Sequence, residues 1–157
     1  MRKLICLLVV LVFFCVIADA QFGTSRLTNN SGGTVTQYQI VVIDTTADSS
    51  FTTTNVSRNG QCIGIVASTS ITNGSTGKIV LFGVHKIKIT GAITRGDYVV
   101  TSTTVGSAAS GGTTNPVGAC ALALDSGTGT DVWCNLGVPL GSVDDDPFIV
   151  ASLKWGG

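Results

Sequence analysis

Ile93-Thr-Arg-Gly-Asp-Tyr-Val-Val-Thr-Ser-Thr-Thr-Val-Gly-Ser-Ala and Asn115-Pro-Val-Gly-Ala-Cys-Ala-Leu-Ala-Leu-Asp-Ser-Gly-Thr-Gly-Thr-Asp-Val-Trp-Cys-Asn-Leu-Gly-Val decide the fold of this chain. Short apolar runs alternate there with clusters of Gly, Asp, Ser and Thr. The spacing, about eight to twelve residues, suits a compact all-β domain, in which every strand must be reversed by a turn the backbone can adopt. Residues 117–124 and 131–138 read as a hairpin around Ser126-Gly127-Thr128-Gly129. The stretch holds no acid pair, histidine cluster or nucleophile elbow, so it points to a module that packs and binds.

Composition extends this reading to the whole chain. Its 157 residues suffice for one domain, with nine basic and nine acidic side chains and no Glu at all. Such balance leaves no electrostatic footprint for nucleic acid. With Glu absent and Met found only at the start, helix is expected to be scarce. The abundant Thr, Val and Ile suit a pleated surface.

The two ends differ from the middle. Arg2 and Lys3, the apolar run 4–17 and Ala18-Asp19-Ala20 form the series of a cleaved signal peptide, with the mature chain starting at Gln21. The rival reading, a retained membrane anchor, has a run shorter than the roughly 20 residues that a span needs. Residues 1–20 are therefore expected to be a signal, 21–141 an all-β domain, and 142–157 a tail. In that tail Val143-Asp144-Asp145-Asp146-Pro147 is a charged break before Phe148, Ile149, Val150, Leu153 and Trp155. This apolar segment is a candidate assembly strand, able to pair at a sheet edge of its own domain or of a neighbour.

Between the ends, residues 35–43 read as one strand and 44–55 as a loop or weak exposed strand. Asn59-Gly60 is a turn, 62–67 a short strand, and Asn73-Gly74 another turn. Residues 78–90 carry the longest β signal. Val80, Phe82 and Val84 fall on one face, and His85, Ile87 and Ile89 alternate with Lys86 and Lys88. Gly83 sits mid-run, where a bulge or close backbone approach is expected. Arg95-Gly96-Asp97 is a turn, 98–102 a strand, and 105–115 a loop.

Candidate chemistry is sparse. His85 is the only histidine and has no carboxylate nearby in sequence to serve a general base. Asp144, Asp145 and Asp146 are adjacent and lack the spacing of a calcium loop, so they read as a solvated acidic turn. No metal or cofactor is expected. Asn29, Asn55 and Asn73 fit the N-glycosylation pattern. Cys62, Cys120 and Cys134 follow the signal, an odd number, so at least one thiol is free or pairs between chains. Counting outward from the turn at 126–129 brings Cys120 close to Cys134. That cross-strand pair is either a disulfide or two buried thiols, and disulfide geometry between such neighbours is the rarer case.

From residue 29 to 138 the chain resembles the capsid decoration, or cement, proteins of tailed bacteriophages and related β modules of phage fibres. The resemblance rests on Asn29-Asn30-Ser31-Gly32-Gly33-Thr34-Val35, on Gly64-Ile65-Val66, on 77–84, on the Gly96-Asp97 turn with its strand, and on Val117-Gly118-Ala119 with the closing hairpin. In place of the family's usual glycine before the first paired-valine strand stand Gln37, Tyr38 and Gln39. The resemblance implies a small β-barrel or β-sandwich that acts by assembling. Phage head proteins need no export signal, so the series at residues 2–20 favours an exported relative. The expected function is a secreted, non-enzymatic structural protein that self-associates into a surface coat or filament. A viral capsid decoration protein, located on the virion, is the alternative, and a carbohydrate-binding or adhesive module a second. Its partners would be copies of itself, a viral capsid or a cell-surface scaffold, with no membrane insertion after signal cleavage.

Overall fold

The computed structural model describes residues 23–137. The signal segment 1–20, both domain boundaries and the tail 142–157 lie outside the described residues. In chain order the strands are β1 (Thr24–Asn29), β2 (Val35–Thr36), β3 (Ile40–Ile43), β4 (Ser50–Thr52), β5 (Cys62–Val66), β6 (Ser70–Ile71) and β7 (Thr76–Val80). They continue with β8 (Gly83–Lys88), β9 (Ala92–Ile93), β10 (Tyr98–Thr101), β11 (Ala108–Gly112), β12 (Ala119–Ala123), β13 (Gly127–Thr128) and β14 (Asp131–Leu136). The fold is all-β.

The first half closes on itself. Strands run β1-β4-β3-β5-β7, and β7 returns antiparallel to β1 with Thr24 opposite Val80, leaving the barrel without an edge. The second half is a five-stranded sheet ordered β11-β10-β12-β14-β8, whose two ends meet at a parallel bridge between Ile89 and Ala108. Two short ribbons, β2–β6 and β9–β13, complete it.

Two cores explain the apolar runs. Val41, Phe51, Val66 and Ile79 fill one, while Ile40, Ile65 and Val80 join the second with Ile87, Val99, Ala121, Val132 and Cys134. The barrel wall made by β3, β5 and β7 is therefore buried on both faces, inside against its own core and outside against the second sheet. A strand buried on both faces reads as a continuous apolar run rather than an alternating one. Burying Phe51 alone contributes about 2–3 kcal/mol, so the short β4 within the Thr- and Asp-rich segment 44–55 is a core strand, not an exposed one.

The wall also explains Gly64. A Cβ there would lie 2.0 Å from the Val80 carbonyl oxygen, and its φ is +154°. Only glycine lets β5 and β7 approach.

Three expected elements differ. The strand expected over 35–43 is broken into β2 and β3 by a turn in which Tyr38 has φ +68°. The run 78–90 is two strands in two different sheets. The chain leaves the barrel after Val80, Gly83 takes φ +104°, and no close backbone approach occurs there, since a Cβ would meet open space. Val80 is buried while Phe82 and Val84 are half-exposed, so the three do not share a face. Residues 105–115, read as a loop, contain β11, paired antiparallel to β10.

Asn29 ties the entry loop to the barrel. Its side chain is fully buried, and its amide nitrogen donates to the carbonyls of Gly33 and Ile71, each at 2.8 Å. Its oxygen accepts the Ser31 N–H at 2.9 Å. The side chain thus holds together the segment that carries the decoration-protein resemblance. An amide so engaged cannot carry a glycan in the folded chain.

Candidate binding surface

The hairpin expected from sequence is present, with β12 antiparallel to β14, and β14 also pairs along its length with β8. Alternation then sorts the side chains of β8 and β14. Ile87, Val132, Cys134 and Leu136 point into the core. Val84, Lys86 and Lys88 stand outward, opposite Asn135, Trp133 and Asp131 respectively. Strand β8 is the last in its sheet. The Lys88 N–H donates to the Tyr38 carbonyl at 2.9 Å, which closes that end of the edge; among the described residues no strand pairs with the rest of it.

Around Val84, Lys86 and Trp133 this outer face is apolar and cationic, with Asp131 beside Lys88 at its far end. Trp133 is 43% exposed and Val84 52% exposed. The Lys86 ammonium lies 5.7 Å from the centroid of the Trp133 ring, a cation–π contact that occupies one face of the indole. Beside it a cleft of about 440 Å³ is lined by Gln37, Tyr38, His85, Lys86 and Trp133 over a floor from β5. The strained Tyr38 backbone is held by its N–H donating to the Val66 carbonyl at 2.9 Å and by the bond from Lys88. His85, expected to be structural, is half-buried opposite Cys134 and borders the cleft, and no carboxylate is among the described lining residues. Among the described residues no three His, Cys, Asp or Glu cluster as metal ligands.

Arg95-Gly96-Asp97 is a turn, as expected. The Asp97 carboxylate accepts the Thr94 N–H at 2.9 Å and the Ser110 hydroxyl at 2.7 Å, and these bonds, in that order, hold its pKa below the ordinary 3.8. The Arg95 guanidinium donates to the Leu124 carbonyl at 3.0 Å. The Asp97 carboxylate is thus buried and engaged, while Arg95 stays exposed. Asp44 is likewise lowered, first by the Asn30 side-chain amide and then by Thr46.

The cysteines are arranged differently from the expectation. Register sets Cys134 opposite Ala123, not Cys120, because the turn after β12 is longer than a tight hairpin and spends Gly127 and Thr128 on pairing with β9. All three thiols are free, and Cys120 shares a small cavity with Cys62. The proposed assembly residues Phe148, Ile149, Val150, Leu153 and Trp155 lie outside the described residues. Sequence reading missed the surface patch of Val84, Lys86 and Trp133. Its signal was the matching alternation of 83–88 and 131–136, which becomes informative only once the two strands are known to be neighbours.

No family model matches the chain, and no curated protein matches it. Among solved structures it is similar to the N base of head fiber gp8.5 of bacteriophage phi29, with a TM-score of 0.54 at 15% sequence identity. The likeness covers 73% of this chain and 92% of that one, and at this identity it is a likeness of fold.

Proposed function

We propose that this protein is a non-enzymatic structural subunit of an assembled surface, of the phage decoration or head-fibre kind, and that it works by docking on copies of itself or on a capsid. The observation that carries this reading is the fold likeness to a phage head-fibre base, spanning nearly all of that structure. The outer face of β8 and β14 supports it. An exposed tryptophan and valine beside an incompletely covered strand edge suit a protein partner, through main-chain pairing and side-chain pockets. The apolar sequence 148–155 would be the complementary part, of a composition able to add as a strand to such an edge on a neighbour. The Lys86 cation over one indole face counts against the carbohydrate-binding alternative, which needs an open aromatic platform.

Residues 2–20 favour a second version of the same reading, in which the subunit is exported and coats a surface outside the cell. Mass spectrometry of the native protein then shows a chain beginning at Gln21. An intact Met1 returns the protein to the virion reading.

Docking is tested by Trp133→Ala in the full chain. Light scattering should show an oligomer for the natural chain and a monomer for the variant, with equal thermal stability at a dilution where both are monomeric. A natural chain that stays monomeric at every concentration and binds no particle sinks the proposal.

A further inference from the structure

Cys62 and Cys120 come from different sheets, β5 in the barrel wall and β12 in the second sheet, yet they border the same small cavity. Each sits at a β-bulge. The step from Val99 to Val100 is matched by Ala121 and Ala119, which makes Cys120 the extra residue of β12. The step from Val41 to Val42 is matched by Gly64 and Cys62, leaving Ile63 extra beside Cys62. Bulges re-aim side chains, and here both cysteines border the seam between the two sheets, with the Cys120 thiol donating to the Val99 carbonyl at 3.2 Å. They share an open cavity of about 120 Å³ whose wall combines Gly64, Ala119 and Gly137 with Ile63, Leu81 and Leu136.

We propose that Cys62 and Cys120 form a redox-controlled disulfide that staples the barrel to the second sheet. The oxidant is a small-molecule disulfide such as oxidised glutathione. The Cys62 sulfur, as thiolate, attacks one sulfur of the oxidant, breaking its S–S bond and releasing one small thiolate. The Cys120 thiol gives its proton to water, and its sulfur displaces the second small thiolate from Cys62. Two protein thiols are oxidised and one small disulfide is reduced to two thiols.

The roles follow from the surroundings. The neighbouring Cys62 thiol and then burial hold Cys120 protonated well above the usual thiol range, so it is the resolving rather than the attacking sulfur. Cys134 takes no part. It is fully buried, and burial followed by the Asp125 charge raises its pKa to about 12. The closed loop would span nearly sixty residues of the chain, and a link over that length removes much freedom from the unfolded state.

The test uses the full chain, reduced and then equilibrated with oxidised glutathione, unfolded in alkylating agent and cut before each aspartate. This places Cys62 in fragment 48–96, Cys120 in 97–124 and Cys134 in 131–143. The expected product links 48–96 to 97–124, with Cys134 alkylated. The same link should survive in Cys134→Ala, and oxidation should raise the midpoint of thermal unfolding by about 5 °C or more. A link from 97–124 to 131–143 overturns the proposal. So does alkylation of Cys62 and Cys120 together, a link from either of them to any other fragment, or a link found only between chains.

Discussion

Asn29→Ala is the sharpest test of how the entry loop is held. The substitution removes two donors at 2.8 Å, one of them to the buried Ile71 carbonyl, and one acceptor at 2.9 Å. The buried carbonyl loses a partner at about 1–3 kcal/mol, and the two part-buried bonds add about 0.5–1.5 kcal/mol each. Gly33 keeps some compensation from the Ser31 hydroxyl at 3.2 Å. The expected loss is about 3 kcal/mol, a large part of the 5–15 kcal/mol typical of a domain. It should appear as a fall of about 12 °C in the thermal midpoint. Urea unfolding followed by circular dichroism measures it. Asn29→Asp separates hydrogen bonding from size. It keeps the acceptor for Ser31 but sets a carboxylate oxygen against two carbonyls, so near neutral pH it should be worse than alanine. Its charged form is disfavoured in the folded state, which raises its folded pKa. The relief is therefore full at low pH and lost as pH rises through that value. An Asn29→Ala chain within about 1 kcal/mol of the natural one, with an unchanged urea slope, would refute this account.

Gly64→Ala should prevent closure of the barrel, because its Cβ would fall 2.0 Å from the Val80 oxygen at φ +154°; soluble, cooperatively unfolding protein from that variant would contradict the packing described. Stability should decline in acid, since the Asp97 and Asp44 pKa values are lowered from 3.8; that contribution is present above 3.8 and lost as pH falls through the folded values. Asp97→Asn should be less stable than the natural chain near neutral pH and equal to it once both carboxyls are protonated, as acid titration of the thermal midpoint will show. Tyr38→Gly should relieve a backbone strain of about 1 kcal/mol and leave stability within that amount of the natural value, while weakening assembly measured by light scattering. Deleting 143–157 should yield a folded monomer; a concentration-independent loss of stability would instead place that segment in its own domain.

Alternation made the wet, basic face of β8 legible, because that strand is buried on one side only. It misled where the chain changed sheets. Val80, Phe82 and Val84 keep a period of two, but the break between β7 and β8 falls inside that run and nothing local in Leu81 or Phe82 announces it. β11 was invisible for the opposite reason. Ala108, Ala109, Ser110, Gly111 and Gly112 have little strand preference of their own, and the strand exists because β10 templates it and because small residues are needed there. A Cβ on Gly111 would lie 2.8 Å from the Pro116 ring. The cysteine geometry depends on two bulges, each an insertion of a single residue, which no pattern count resolves.

Tyr38 shows how a sequence departure and a structural outlier inform one another. The resemblance expects glycine before the first paired-valine strand, and the structure explains why. The chain must turn there through φ +68°, which glycine adopts freely and tyrosine only at a cost. The fold meets that cost with backbone bonds to Val66 and from Lys88. Nothing in the turn itself requires a tyrosine. Its side chain lines the cleft with Lys86 and Trp133. A strained residue kept where glycine would serve points to a use for the side chain. Under the assembly reading that use is contact with the partner, which places Tyr38, Lys86 and Trp133 in one docking surface.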